Sequence, residues 1–175
     1  MGPAERRGVL RVIIGFAVVA VVLPVVGLLV VLRGDDPAPS GPPELVVDGP
    51  YVTAADVGGV SALYLEIANG GGADRLVGVT SPVAGQAVLH ATEARDGLLL
   101  MVPIEGLPVA AGGATSLRPG GAHVMLVGLT VALEPGDEVV AELRFERAAP
   151  VTVRAVVLSP AEVLDRIDAA EDPRP

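Results

Sequence analysis

From Val139 to Phe145 apolar residues recur at every second position: Val139, Ala141, Leu143 and Phe145 interleave with Val140, Glu142, Arg144 and Glu146. A period of two is that of a β-strand with one dry face and one wet face. Leu63, Leu65 and Ile67 alternate in the same way with Tyr64 and Glu66, and that run stops at Asn69-Gly70-Gly71-Gly72. Further short apolar runs predict strands over Arg75 to Thr80, Gln86 to Glu93, Leu98 to Ile104, Thr115 to Leu117, His123 to Leu126 and Val151 to Leu158. Gly, Pro, Asp and Asn punctuate them. About eight strands over residues 44–159 fit an all-β Greek-key sandwich or barrel.

Two stretches break this pattern. Val12 to Leu32 is 21 residues without a charge, close to the roughly 20 that cross a bilayer core as a helix. It is longer than the apolar part of a cleavable signal peptide and no small-x-small site follows it, so it predicts a retained transmembrane anchor. Arg6, Arg7 and Arg11 precede the run and Arg33 alone follows it, which places residues 1–11 in the cytoplasm and the rest outside. Residues 33–43 hold four prolines and read as an extended linker. In the tail, residues 160–175, Val163, Leu164 and Ile167 fall at helical spacing among acidic groups, a pattern compatible with a short docked helix or with disorder.

Composition narrows the chemistry. The chain of 175 residues has no cysteine, which removes a disulfide scaffold, a thiolate zinc site, an iron–sulfur cluster, thiol catalysis and a lipid-modified cysteine. Residues 33–175 carry 20 Asp or Glu against 9 Arg, a net −11. Such a surface repels a phosphate backbone, so no nucleic acid is expected as a partner.

Beyond the initiator, the chain contains only two histidines and two methionines, His90, Met101, His123 and Met125. Their spacing is His-x10-Met-x21-His-x-Met. His123 and Met125 lie two apart on one predicted strand and share a face. His90 and Met101 flank a predicted hairpin with Ala94-Arg95-Asp96-Gly97 as its loop. Pairing Glu93 with Leu98 sets His90 opposite Met101, again on one face. Two imidazoles and two thioethers form a soft donor set that favours Cu(I) over hard cations, and without a thiolate the site is not a blue-copper centre. Each of the four taken singly also suits an ordinary strand residue, a hydrogen-bonded histidine or a core methionine.

This spacing resembles the signature of the periplasmic copper A chaperone family (PCuAC-like proteins). Ser61 to Asn69 (SALYLEIAN), Asp74 to Pro82 (DRLVGVTSP) and Leu117 to Leu126 (LRPGGAHVML) are also similar, so the likeness spans about residues 49–158. The resemblance implies a cupredoxin-like Greek-key barrel that binds Cu(I) at an exposed edge through His90, Met101, His123 and Met125. It further implies copper delivery outside the cytoplasmic membrane, toward the copper A centre in subunit II of cytochrome c oxidase or another copper-trafficking protein. The sequence departs from many relatives in two respects: residues 160–175 lack the Met- and His-rich extension that adds copper capacity, and the apolar N-terminal run looks retained.

Two other classes stand beside this reading. One is an extracytoplasmic β-module that binds no metal, in which the four residues are incidental. The other is a hydrolase using His90 or His123 as a base, disfavoured because no serine lies in a Gly-x-Ser-x-Gly context and no glycine-rich segment matches a phosphate loop. The expectation is therefore a binding protein and not an enzyme.

Overall fold

A computed structural model describes residues 39–95 and 97–171. The anchor expected over Val12 to Leu32, its orientation and the first part of the linker lie outside these residues. Among the described residues no helix is long and apolar enough to cross a membrane.

Ten strands form the domain: β1 (Leu45–Thr53), β2 (Val60–Asn69), β3 (Asp74–Thr80), β4 (Ala84–Arg95), β5 (Leu98–Pro103), β6 (Leu107–Val109), β7 (Ala114–Leu117), β8 (His123–Leu129), β9 (Glu138–Phe145) and β10 (Val151–Leu158). They are ordered β5-β4-β8-β2-β1-β10-β9-β3-β6. β2 pairs β1 along one side; on the other it pairs β8 through Val60 to Leu63 and β7 through Leu65 to Ala68. β1 and β10 run parallel while every other pairing is antiparallel. Most spatial neighbours are distant in sequence, so the chain crosses repeatedly between edges as Greek-key connections require.

The expected all-β class holds, and the outward–inward alternation read from sequence is the one observed. Leu63, Leu65 and Ile67 of β2, Leu89 of β4, Val124 and Leu126 of β8, Val139, Ala141 and Leu143 of β9, and Val153, Ala155 and Val157 of β10 all enter one apolar core. Burying each Leu, Ile or Val stabilises the fold by about 1.5–3 kcal/mol relative to exposure. β5 contributes nothing to this core. Strands β1 and β6 were not distinguished in the sequence: Asp48-Gly49-Pro50 disrupts the alternation of the first and shifts its register, and the second is three residues long.

Residues 33–43 were expected to be an extended linker; the end of that segment, with Glu44, is seated on the domain. Asn69, 2% exposed, is the hub. Its Oδ1 accepts from Glu44 N at 3.1 Å and Gly71 N at 3.0 Å, and its Nδ2 donates to Gly72 O at 2.9 Å and Ala110 O at 3.1 Å. Arg147 donates to Gly41 O at 2.8 Å. A Cβ at Gly71 or Gly72 would collide with the backbone oxygen of Pro42 or Gly41, which accounts for the glycine run after β2.

In the tail, Pro160–Glu171 forms a helix, α1. Ser159 and Glu162 make a capping box: Ser159 N and Oγ donate to Glu162 Oε2 at 2.8 and 2.6 Å, and Glu162 N donates to Ser159 Oγ at 3.3 Å. The helix rests on the barrel through Arg166, whose guanidinium lies 4.7 Å from the Tyr51 ring centroid.

Candidate metal centre

The core takes the residues of β2, β4 and β8 that point inward, and the opposite phase of the same strands forms an outer groove. On β8, Val124 and Leu126 are core residues, so His123 and Met125 face outward. On β4, Leu89 points in, and Val88, His90 and Thr92 point out. The register sets His90 directly opposite His123 and Val88 opposite Met125. Across the next pairing, Ala62 lies opposite Met125, with Tyr64 following on the same outer face.

The hairpin register differs from the sequence expectation. Arg95 pairs with Leu98, so the connection is two residues rather than four, with Gly97 at φ 78°. An Asp-Gly pair favours this tight turn. His90 consequently faces Pro103, and Met101 faces Thr92. The slip is two residues, and side chains alternate with period two, so Met101 keeps the face that the sequence assigned to it.

The four residues therefore lie along a diagonal over three adjacent strands. The His90–His123 pair is central; Met125 is one step to one side of it along β8 and Met101 one step to the other on β5. The imidazoles are stacked, with ring centroids 5.8 Å apart and planes at 16°. His90 Nδ1 is 3.2 Å from Val88 O, and His123 Nδ1 is 3.1 Å from Gly121 O. A carbonyl only accepts, so Nδ1 is the donor in each contact, and in the neutral ring this leaves the lone pair on Nε2. Ligating histidines are oriented by the same kind of second hydrogen bond.

Met101, His123 and Met125 line an open groove of about 440 Å³ together with Thr53, Val60, Ala62, Tyr64, Thr92, Leu99 and Pro119. No charged side chain lines it. His123 is 5% exposed and Met101 64%, so the site is sunk at its centre and open at the Met101 end. The resemblance had implied an exposed edge, and only the Met101 end has that character.

Two neighbours were not singled out from sequence. Thr92 Oγ1 donates to Gly121 O at 3.1 Å, the carbonyl that also holds His123. Tyr64 flanks His123 at 6.2 Å between centroids and leans on Tyr51 at 5.0 Å. Burial, and secondarily the adjacent Tyr51, pushes the Tyr64 phenol above its usual range. Both could have been found by phase, since Thr92 follows His90 by two and Tyr64 is the outward residue of β2.

Among the described residues no group of three or more His, Cys, Asp or Glu is placed to hold a metal. Any ion at this groove would depend on the thioethers, a donor set that favours soft ions over hard divalent cations.

The fold and groove define a Greek-key β-barrel domain with a histidine–methionine pocket on its outer wall. The chain belongs to the family described as "Putative lipoprotein LpqE-like", whose model matches residues 45–157. It is 34% identical over 151 residues to "Putative lipoprotein Lxx21020" of Leifsonia xyli subsp. xyli (strain CTCB07), covering 82% of this chain and 89% of the relative. Among solved structures it is similar to the copper-bound PCuAC domain from PmoF2, with 25% identity, TM-score 0.57, and coverage of 66% of this chain and 93% of that one. The apo PCuAC domain from PmoF1 matches at 30% identity and TM-score 0.57, covering 66% and 94% respectively. Apo-DR1885 from Deinococcus radiodurans matches at 27% identity and TM-score 0.52, covering 74% and 91%. The barrel is thus a PCuAC-like fold.

Proposed function

We propose that this protein is an extracytoplasmic Cu(I) carrier that binds one ion in the groove through His90, Met101, His123 and Met125. The observation that supports the reading is that all four donors share the outer face of three adjacent strands, with Met101, His123 and Met125 lining one groove and His90 paired with His123 beside them. The similar structure described as copper-bound supports it. A groove without charge suits a monovalent cargo, because a divalent ion there would lack compensating carboxylates. Two thioethers and no thiolate suit reversible loading, which a chaperone requires.

Membrane attachment is part of this proposal. The family and the relative are described as lipoproteins, whereas this sequence has no cysteine to carry a lipid. Val12 to Leu32 would serve in its place as a single-pass anchor, with the N-terminus cytoplasmic and the barrel outside. The acceptor proposed is the copper A centre of cytochrome c oxidase subunit II or another copper-trafficking protein.

The test is competitive titration with Cu(I) of the full chain and of four variants, His90→Ala, Met101→Ala, His123→Ala and Met125→Ala. One tight equivalent in the wild type, weakened in each variant, is expected. Equally weak binding by all five proteins would favour a β-module that holds no metal.

A further inference from the structure

The four donors are not equally held. β8, which carries His123 and Met125, is paired on both sides, by β2 and by β4. β4, which carries His90, is tied to the segment before β8 by the Thr92–Gly121 hydrogen bond. Both imidazoles have Nδ1 fixed to a backbone carbonyl. β5 ends the sheet and is paired on one side only. Leu98, Leu99, Leu100 and Met101 are 64%, 74%, 39% and 64% exposed, and none of them enters the core. Methionine adds three rotatable bonds of its own. Local opening is cheapest where buried contacts are fewest.

We infer that Met101 is the exchange ligand: its sulfur forms the last bond to copper on loading and gives up the first on release, while His90, His123 and Met125 still hold the ion. This rests on the Cu(I) reading above and adds an order to it. As Met101 Sδ withdraws with its lone pair, a donor atom of the incoming ligand supplies a lone pair to the vacated position. The copper stays monovalent and no electron is transferred; with a nitrogen or thioether donor no proton moves either. His90, His123 and Met125 are then displaced in turn. Because Met101 faces Thr92 and not His90, it is a diagonal neighbour of His90, a separation that a long side chain can span or vacate.

The experiment is stopped-flow transfer of Cu(I) from the loaded full chain to bathocuproine disulfonate over a range of chelator concentrations. It compares wild type with Met101→Leu and Met125→Leu, each of which removes the sulfur and keeps the bulk. The wild-type rate should rise with chelator and then level off at the rate of Met101 opening. Met101→Leu should raise that limiting rate about tenfold or more, the scale on which metal sites respond to a lost interaction. Met125→Leu should weaken equilibrium binding and leave the limiting rate within about threefold of wild type. A limiting rate raised equally in both variants, or only in Met125→Leu, would overturn the inference while leaving Cu(I) binding intact. A wild type that takes up no Cu(I) would overturn the metal reading and this inference together. Unchanged thermal melting of the apo variants checks that neither result comes from misfolding.

Discussion

His90 and His123 are both oriented by the backbone of their own chain segment. Each ring is turned by a carbonyl two residues before it on its own chain, so local backbone geometry selects the tautomer. Thr92→Val should therefore loosen His123 through Gly121 and reduce Cu(I) affinity about tenfold with little change in melting, measured by competitive titration and calorimetry. Tyr64 gives a pH dependence. Burial holds the phenols of Tyr51 and Tyr64 above their usual 10.0, although Arg166 partly offsets this at Tyr51. The unfolded chain then loses these protons first. Stability present below that value should fall as pH rises from it through the raised folded values. Urea denaturation at increasing alkaline pH should show this slope, and Tyr64→Phe should flatten it. At this scale the sequence was informative because the donors are rare and their phase is a matter of parity. The face of Thr92 follows from the same parity, whereas its bond to Gly121 depends on which strand lies beside β4 and is not legible in the sequence.

Among the elements, the β4–β5 hairpin separates what periodicity reveals from what it does not. Alternation set the face of Met101 correctly, while the pairing partner depended on turn length, and the tight Asp-Gly connection moved it from His90 to Thr92. Asn69 makes the opposite point: the sequence marked it as the end of a strand, and the structure makes it a hub of four hydrogen bonds that ties Glu44 to Gly71, Gly72 and Ala110. Asn69→Ala leaves buried backbone groups without partners and should cost about 2–4 kcal/mol, readable as a shift in urea midpoint with Cu(I) affinity unchanged. The capping box of α1 is legible as Ser-x-x-Glu, and Ser159→Ala should lower helix stability by about 1 kcal/mol. The Ser159 hydrogen bonds hold Glu162 below its usual 4.5, so this contribution is present above that value and is lost as pH falls through the lower folded one. Amide exchange of residues 160–169 at neutral and acid pH would detect the fraying.

At the level of the whole molecule, one core is built from every strand but β5, and the candidate site lies on the outside of its wall. Stability and chemistry are thereby assigned to opposite phases of the same strands: Leu63, Leu89, Val124 and Leu126 inward, Tyr64, His90, His123 and Met125 outward. This arrangement explains why the all-β class could be read from alternation alone. The order of the strands could not, because β3 beside β9 and β4 beside β8 are long-range pairings that no local pattern encodes. It also predicts that the groove can be altered without unfolding the barrel, with His123, 5% exposed, the most sensitive position. Whether the four outward-facing donors act as one Cu(I) site is read by equilibrium titration of the purified full chain with Cu(I) against bathocuproine disulfonate, alongside the four single alanine variants. One tight Cu(I) per chain is expected, with affinity reduced about tenfold or more in every variant. Binding of equal strength in wild type and variants would mean that the four residues do not form a metal site.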